Sequence, residues 1–298
     1  MRRKVAVIVD GTAAVPPAVS TEYDIGVLPF HVIVDGRDRI DAEVDLHWLF
    51  DLLRQRRNVP TTAAPSIGEA LRAYDWAAER ADTAISIHLT SAFSKSYESG
   101  LEARALAKEK YPQMQIEVID SRTGEAGELA MAIEAAGFAL KGASFDEVVQ
   151  RAYEVRDSLS QFYCFETLFY RDKGGRTFKA KPWAEAENNG GAGLRALLEV
   201  DHSTDGTVRP ICRAKTKKQL FKKMIRLASE RMNGAALCAA IVHVNAAQEA
   251  ESLGQLLRDE LQCERIQVAH SCAATAVQSG EGFIAFACHA STGGLDRT

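Results

Sequence analysis

No stretch of the 298 residues approaches the ~18 consecutive apolar positions that would suggest a membrane-spanning helix. Neither sign of charge prevails. Lys and Arg number 36 against 40 Asp and Glu, a formal net charge of −4. This removes the electrostatic reason to expect a nucleic-acid or membrane-surface partner. The first half of the chain holds no cysteine. Cys164, Cys212, Cys238, Cys263, Cys272 and Cys288 all lie in the second half, with no C-x-x-C pair and no histidine in a zinc-like register. Neither a disulfide framework nor a metal site is supported. The P-loop, G-x-G-x-x-G, G-x-S-x-G and H-E-x-x-H patterns are likewise absent. Met1-Arg2-Arg3-Lys4 is basic, but the apolar run behind it ends at Asp10, too early for a signal-peptide core. A buried first strand and a cytoplasmic protein are the expectation.

What is present reads as an ordinary globular chain, 46% apolar and 26% charged. Its length exceeds that of a usual single core, so one large or two medium domains are expected. Val5–Val9 is an unalternating β-branched run, as in a strand covered on both faces. Val27–Val34 reads as a second strand ending at Asp35-Gly36, with Pro29 confining its start to an edge or bulge. Leu46, Leu49, Phe50 and Leu53 form a helical stripe, and Ser66 with Glu69 makes a capping box before a further helix. Strands at 83–89 and 115–119 then alternate with helices at 94–110, 125–141 and 145–159. This order predicts an α/β fold with parallel-rich sheets. A second α/β unit begins near Ser160, with strands at 162–165, 207–212, 236–244, 265–269 and 283–288 and helices at 216–232 and 247–261. The division expected is 1–159 and 160–298, with a loop at 188–193 and a frayed tail from Ser291.

Two segments concentrate small hydroxyls where helices start. Pro60-Thr61-Thr62-Ala63-Ala64-Pro65-Ser66 is stiffened by its prolines, and Thr90, Ser91, Ser94 and Ser96 follow an apolar strand, with Lys95 adding a cation. Hydroxyls, free N–H groups and the positive end of a helix together form a cradle for a small anion such as a carboxylate or phosphate. Ser91 and Lys95, four apart, also have the spacing of a Ser–Lys nucleophile pair, which needs a buried lysine. Asp10-Gly11-Thr12 ends the first strand and serves equally well as a ligand loop or a turn cap. His31 and His88 read as satisfied core histidines, and Asp120–Gly124 as a helix cap. Asp172–Arg176 is a charged turn, either solvated or a partner contact, and Arg213–Lys218 starts a solvent-facing helix.

In this order the segments resemble the DegV family of bacterial fatty-acid-binding proteins. The resemblance runs from Val5–Thr12 through Val27–Phe30, Pro60–Ser66, Ser91–Tyr97, Val118–Ser121, Leu168–Arg176 and Arg213–Lys218 to Ser279–Gly282. It implies two α/β domains with a ligand cleft between them, in which a long-chain fatty acid or similar lipid lies. It also implies, in some members, presentation of the acyl chain to an ATP-dependent fatty-acid kinase. Carried over by position, Thr61 or Thr62 and Ser94 would bind the carboxylate, and Arg176 would meet the kinase or the ligand. The chain departs from the family pattern at Gly11, at Ala63-Ala64, at Lys95 where a glycine is usual, and at Gln278, before Ser279, where a histidine is usual. Lys95, Gln278 and Ser279 therefore join the expected ligand-binding set. The function this implies is non-catalytic lipid carriage without a cofactor. The alternative is an enzyme acting on a small acyl or anionic substrate through a Ser91/Ser94–Lys95 centre.

Overall fold

The computed structural model describes residues 3–191 and 193–291; the expected tail beyond Ser291 lies outside them. The chain opens with β1 (Arg3–Asp10), α1 (Pro17–Tyr23), β2 (Ile25–Leu28), β3 (His31–Val34), β4 (Arg37–Ile40) and α2 (Leu46–Arg54). It continues through β5 (Thr61–Ala63), α3 (Ile67–Arg80), β6 (Ala81–His88), α4 (Ser96–Lys110), β7 (Gln115–Asp120), α5 (Glu125–Leu140) and α6 (Phe145–Ser158). The second half comprises β8 (Ser160–Phe165), α7 (Phe169–Lys173), α8 (Lys181–Asn188), β9 (Arg195–Glu199), β10 (Arg209–Ala214) and α9 (Lys217–Met232). It closes with β11 (Leu237–His243), α10 (Ala247–Glu260), β12 (Cys263–His270), α11 (Ala273–Ser279) and β13 (Ile284–Ala290).

The first sheet has the order β2-β1-β6-β7 and is parallel throughout. The chain moves from β1 to β2 on one side, then returns to place β6 on the other. That reversal is a topological switch point at the carboxyl ends of β1 and β6, where ligands of open α/β sheets collect. The strand expected over 27–34 is broken at Pro29. Its first part is β2 in the parallel sheet, and its second is β3 at the centre of a small antiparallel sheet, β4-β3-β5. A proline cannot donate to a ladder, so the break falls where a bond would have been lost anyway.

The second sheet has the order β10-β9-β8-β13-β11-β12. The α/β class holds, but parallel pairing here is confined to β11 and β12, the two strands joined by the α10 crossover. The other pairings are antiparallel. Between the two sheets runs α5, packed on β1 from one side and on β11 and β13 from the other. Fourteen of its 16 residues are buried, as expected of a helix apolar all round. The largest hydrophobic cluster accordingly runs from Val5 and Val9 through Leu129 and Ile133 to Phe283 and Ala285. One core therefore spans both halves of the chain. Among the described residues no helix is long and apolar enough to cross a membrane.

Candidate functional site

The loops at the switch point are tied together by a carboxylate. Asp10, fully buried at the end of β1, accepts the Leu89 N–H at 2.7 Å and the Thr12 hydroxyl at 2.5 Å. Beyond Leu89 the loop is anchored by His88, whose Nδ1 meets Ser96 Oγ and whose Nε2 meets Ser86 Oγ, both at 2.8 Å. Burial pushes the His88 pKa down to about 3. The ring is therefore neutral, with one nitrogen donating and the other accepting. Just before α4, Ser94 Oγ accepts the Ser96 N–H at 3.1 Å. The anchoring histidine thus fixes the serine that the sequence singles out.

Thr62 arrives from a different element. Successive strand residues face opposite sides, so β5 turns Thr62 inward and Thr61 outward. Thr62 and Ser94 line one small cavity together with Arg176 and Gln278. Gln278, on α11, donates through Nε2 to Thr62 Oγ1 at 3.1 Å. Its Oε1 accepts from Arg176 Nη1 at 2.8 Å. Arg176 Nε donates at 2.8 Å to the carbonyl of Phe93, so the guanidinium ties the β6–α4 loop to α11. Gly280 lets α11 pack closely against Tyr170. It ends α11 at φ +73°, and a Cβ there would fall 2.5 Å from the Tyr170 ring.

These bonds leave specific protons available. Thr62 Oγ1 and Ser94 Oγ each accept from a protein N–H, so each keeps its own O–H to donate. Arg176 is more than half buried, and its hydrogen bonds, to Phe93, Gly174 and Gln278, all end on neutral oxygens. Burial, and then the neighbouring Arg171 charge, lower its pKa. A partly buried cation beside two hydroxyl donors is an arrangement chemically suited to an anion.

The cavity has a rim and a floor. Phe30, Thr62, Phe93, Ser94 and Arg176 form the rim, shared with an open vestibule of about 580 Å³ in which Lys95 lies exposed. Thr12, Leu89, Glu125, Arg171 and Thr275 form the floor. The cavity is small, about 30 Å³.

The floor is strongly polar. Glu125 opens α5 at φ +29°, a strained backbone for a non-glycine residue. Its carboxylate takes the hydroxyls of Tyr163 and, at 3.4 Å, of Thr275. Burial raises its pKa, opposed by the Arg171 charge. One turn on, Glu128 Oε2 lies 2.8 Å from Thr12 Oγ1. Thr12 has one hydroxyl proton and already lies 2.5 Å from Asp10. A single proton cannot serve both carboxylates, so one carboxyl must itself be the donor. That carboxyl is Glu128, raised well above the usual range by burial and by the Asp10 charge.

The expected site residues thus divide. Thr62, Ser94, Arg176 and Gln278 meet at the cavity. Thr61 lines a separate groove with Pro60 and Lys173. Lys95 belongs to the vestibule, and Ser279 is buried off the lining with its hydroxyl unpartnered. Ser91 Oγ donates to Asp120 at 2.6 Å, and Lys95 is exposed. Glu125, Glu128 and Arg171 were missed. The two glutamates were visible as charges interrupting an otherwise apolar helical stretch, Gly124–Leu140. Elsewhere, Glu134, Cys238 and His289 cluster closely enough to hold a metal ion. Arg151 and Arg265 already grip Glu134 at 2.5 Å each, however, and two guanidiniums repel a cation.

The family model described as "Uncharacterised protein, DegV family" matches residues 4–290. The chain belongs to the DegV family. A DegV domain-containing protein of Halalkalibacterium halodurans is 25% identical over 287 residues, covering 94% of this chain and 96% of that one. Among solved structures, a fatty-acid-binding DegV family protein of Thermus thermophilus superposes with a TM-score of 0.86 at 22% identity, covering 98% of this chain and all of that one. A DegV family protein of Eubacterium eligens, loaded with heptadecanoic acid, gives 0.84 at 20% identity, covering 96% and 100%. At these identities the superpositions establish a shared fold.

Proposed function

We propose that this DegV protein is a non-catalytic carrier of a long-chain fatty acid or similar lipid acid, its carboxylate received by Thr62, Ser94 and Gln278 beside Arg176. The observation that carries this reading is the pair of hydroxyls whose lone pairs are engaged and whose protons are not, next to a buried cation bonded only to neutral oxygens. The fatty acids bound by the Thermus thermophilus and Eubacterium eligens proteins supply the acyl class.

The energetics fit a carrier. A dozen buried methylenes at about 0.8 kcal/mol each would supply most of the drive, while the carboxylate fixes orientation. The closed cavity is too small for such a chain, so uptake requires the rim to part. The contacts that must yield are the Arg176 bonds to Phe93 and Gln278 and the packing of Phe178 on Phe93, with ring centroids 5.6 Å apart. Phe178 has a φ of +45°, a strained backbone beside the segment that has to move. The carboxylate end would face the vestibule, within reach of a phosphorylating partner, and presentation to a fatty-acid kinase is part of the proposed role. Six unpaired thiols suit a reducing, cytoplasmic setting.

The test is denaturing extraction of the purified protein with identification of any released acid, followed by titration of the delipidated protein with hexadecanoic acid. One-to-one binding that falls in Thr62→Ala and Ser94→Ala proteins of unchanged melting temperature supports the reading. Absence of any bound acid, together with failure to take one up, overturns it.

A further inference from the structure

The rim explains a carboxylate; the floor asks for something else. Arg171 is 3% exposed, and its guanidinium lies 4.2 Å from the centroid of the Phe93 ring. Its Nε donates to the Arg176 carbonyl at 3.2 Å, whereas its Nη2 is buried without a hydrogen-bond partner. Beside it on the floor, the Glu125 carboxylate receives two hydroxyls and has further lone pairs to offer. The floor thus holds an unused donor and an acceptor with spare capacity, both buried.

A plain methylene chain passing this point would lie against an unsatisfied guanidinium N–H and strengthen neither group. Leaving a buried charged donor unpaired is among the more costly arrangements in a protein interior. A hydroxyl group is the smallest substituent that accepts and donates at once. It would take the Arg171 Nη2 proton on its oxygen and direct its own proton to Glu125.

We infer that the preferred ligand is a hydroxylated carboxylic acid, its hydroxyl on carbon 2 or 3 lodged between Arg171 and Glu125. The position follows from the shared lining: Thr62 and Ser94 at the rim and Arg171 and Glu125 on the floor face one small cavity, which puts the hydroxyl near the carboxylate end of the chain. Discrimination of this kind is steep, because an analogue lacking the hydroxyl leaves the site's polar groups unpaired. The inference rests on the carrier reading and specifies which acid is carried.

The experiment titrates delipidated protein with hexadecanoic acid and with its 2-hydroxy, 3-hydroxy and 16-hydroxy derivatives by calorimetry. The expected result is tenfold or tighter binding of the 2- or 3-hydroxy acid over both hexadecanoic acid and the 16-hydroxy acid. In Arg171→Leu protein the preference should fall to within about twofold. If hexadecanoic acid binds and no hydroxylated acid binds more tightly, the inference fails and the carrier reading stands. If none of the four acids binds, the carrier reading fails and the inference falls with it. A folding defect in Arg171→Leu leaves the wild-type comparison decisive, and Glu125→Gln then serves as the second variant, expected to narrow the same ratio.

Discussion

Gln278 Nε2 donates to Thr62 Oγ1 at 3.1 Å, joining two residues 216 positions apart at the wall of one cavity. The bond uses a Thr62 lone pair and leaves the hydroxyl proton free to donate inward. Ser94 is arranged in the same way by the Ser96 N–H. In the proposed site, anion recognition depends on which lone pairs are already occupied as much as on which residues are present.

Removing either hydroxyl should weaken fatty-acid binding without unfolding the chain. A hydrogen bond to a charged group contributes about 1.5–3 kcal/mol, so Thr62→Ala and Ser94→Ala should each cost about 10- to 100-fold in Kd. Thr62→Ser, which keeps the hydroxyl, should cost much less. Calorimetric titration beside a thermal melt checks both statements. Equal losses for Thr62→Ser and Thr62→Ala would point to shape rather than the proton.

Arg176 both closes the rim and supplies charge, so Arg176→Met should change kinetics as well as affinity. Release of a bound acid should accelerate, and amide exchange should rise in the segments around Phe93 and Gly174, whose carbonyls it holds. Stopped-flow displacement and hydrogen-exchange mass spectrometry read these outcomes. Unchanged protection around Phe93 would remove the latch from the account.

Stability should fall on the acid side because of His88. Its pKa is pushed from 6.5 down to about 3 by burial. The unfolded chain therefore takes up this proton first as pH drops. The contribution is fully present above about pH 6.5 and is lost progressively toward pH 3, at about 1.4 kcal/mol per pH unit within that window. His243, pushed down to about 4, acts in the same direction. Urea midpoints at pH 7 and pH 5 should separate less in His88→Gln than in the wild-type protein.

Glu128 works in the opposite sense. Its folded pKa is raised well above 4.5, so the stability it contributes is present below that value and lost as pH rises through the folded pKa. Glu128→Gln keeps a donor to Thr12 and removes the ionisation. Its melting temperature should exceed that of the wild-type protein at pH 8, and by more than at pH 5. An equal difference at the two pH values would mean that Glu128 does not titrate in this window.

The first sheet was legible because β1, β6 and β7 each lead into a helix, and the hydroxyl segments stood out because they fall at the starts of α3 and α4. Less was readable where tertiary contact decides. Arg195–Glu199 is too short and too polar at its ends to declare itself as β9, yet it is held between β8 and β10. The choice between Thr61 and Thr62 needed the register of β5 against β3. The floor was hidden for a different reason. Arg171 stands just before the charged turn Asp172–Arg176, and only folding brings it beneath Phe93 and near Glu125.

The carboxylate site is tested most directly by carbon-13 NMR of hexadecanoic acid labelled at its carboxyl carbon and bound to the protein. The account predicts a distinct bound resonance that stays ionised at pH values where the free acid protonates, and that shifts or disappears in Thr62→Ala and Ser94→Ala proteins. A bound resonance that titrates like the free acid and is unmoved by either substitution would contradict it.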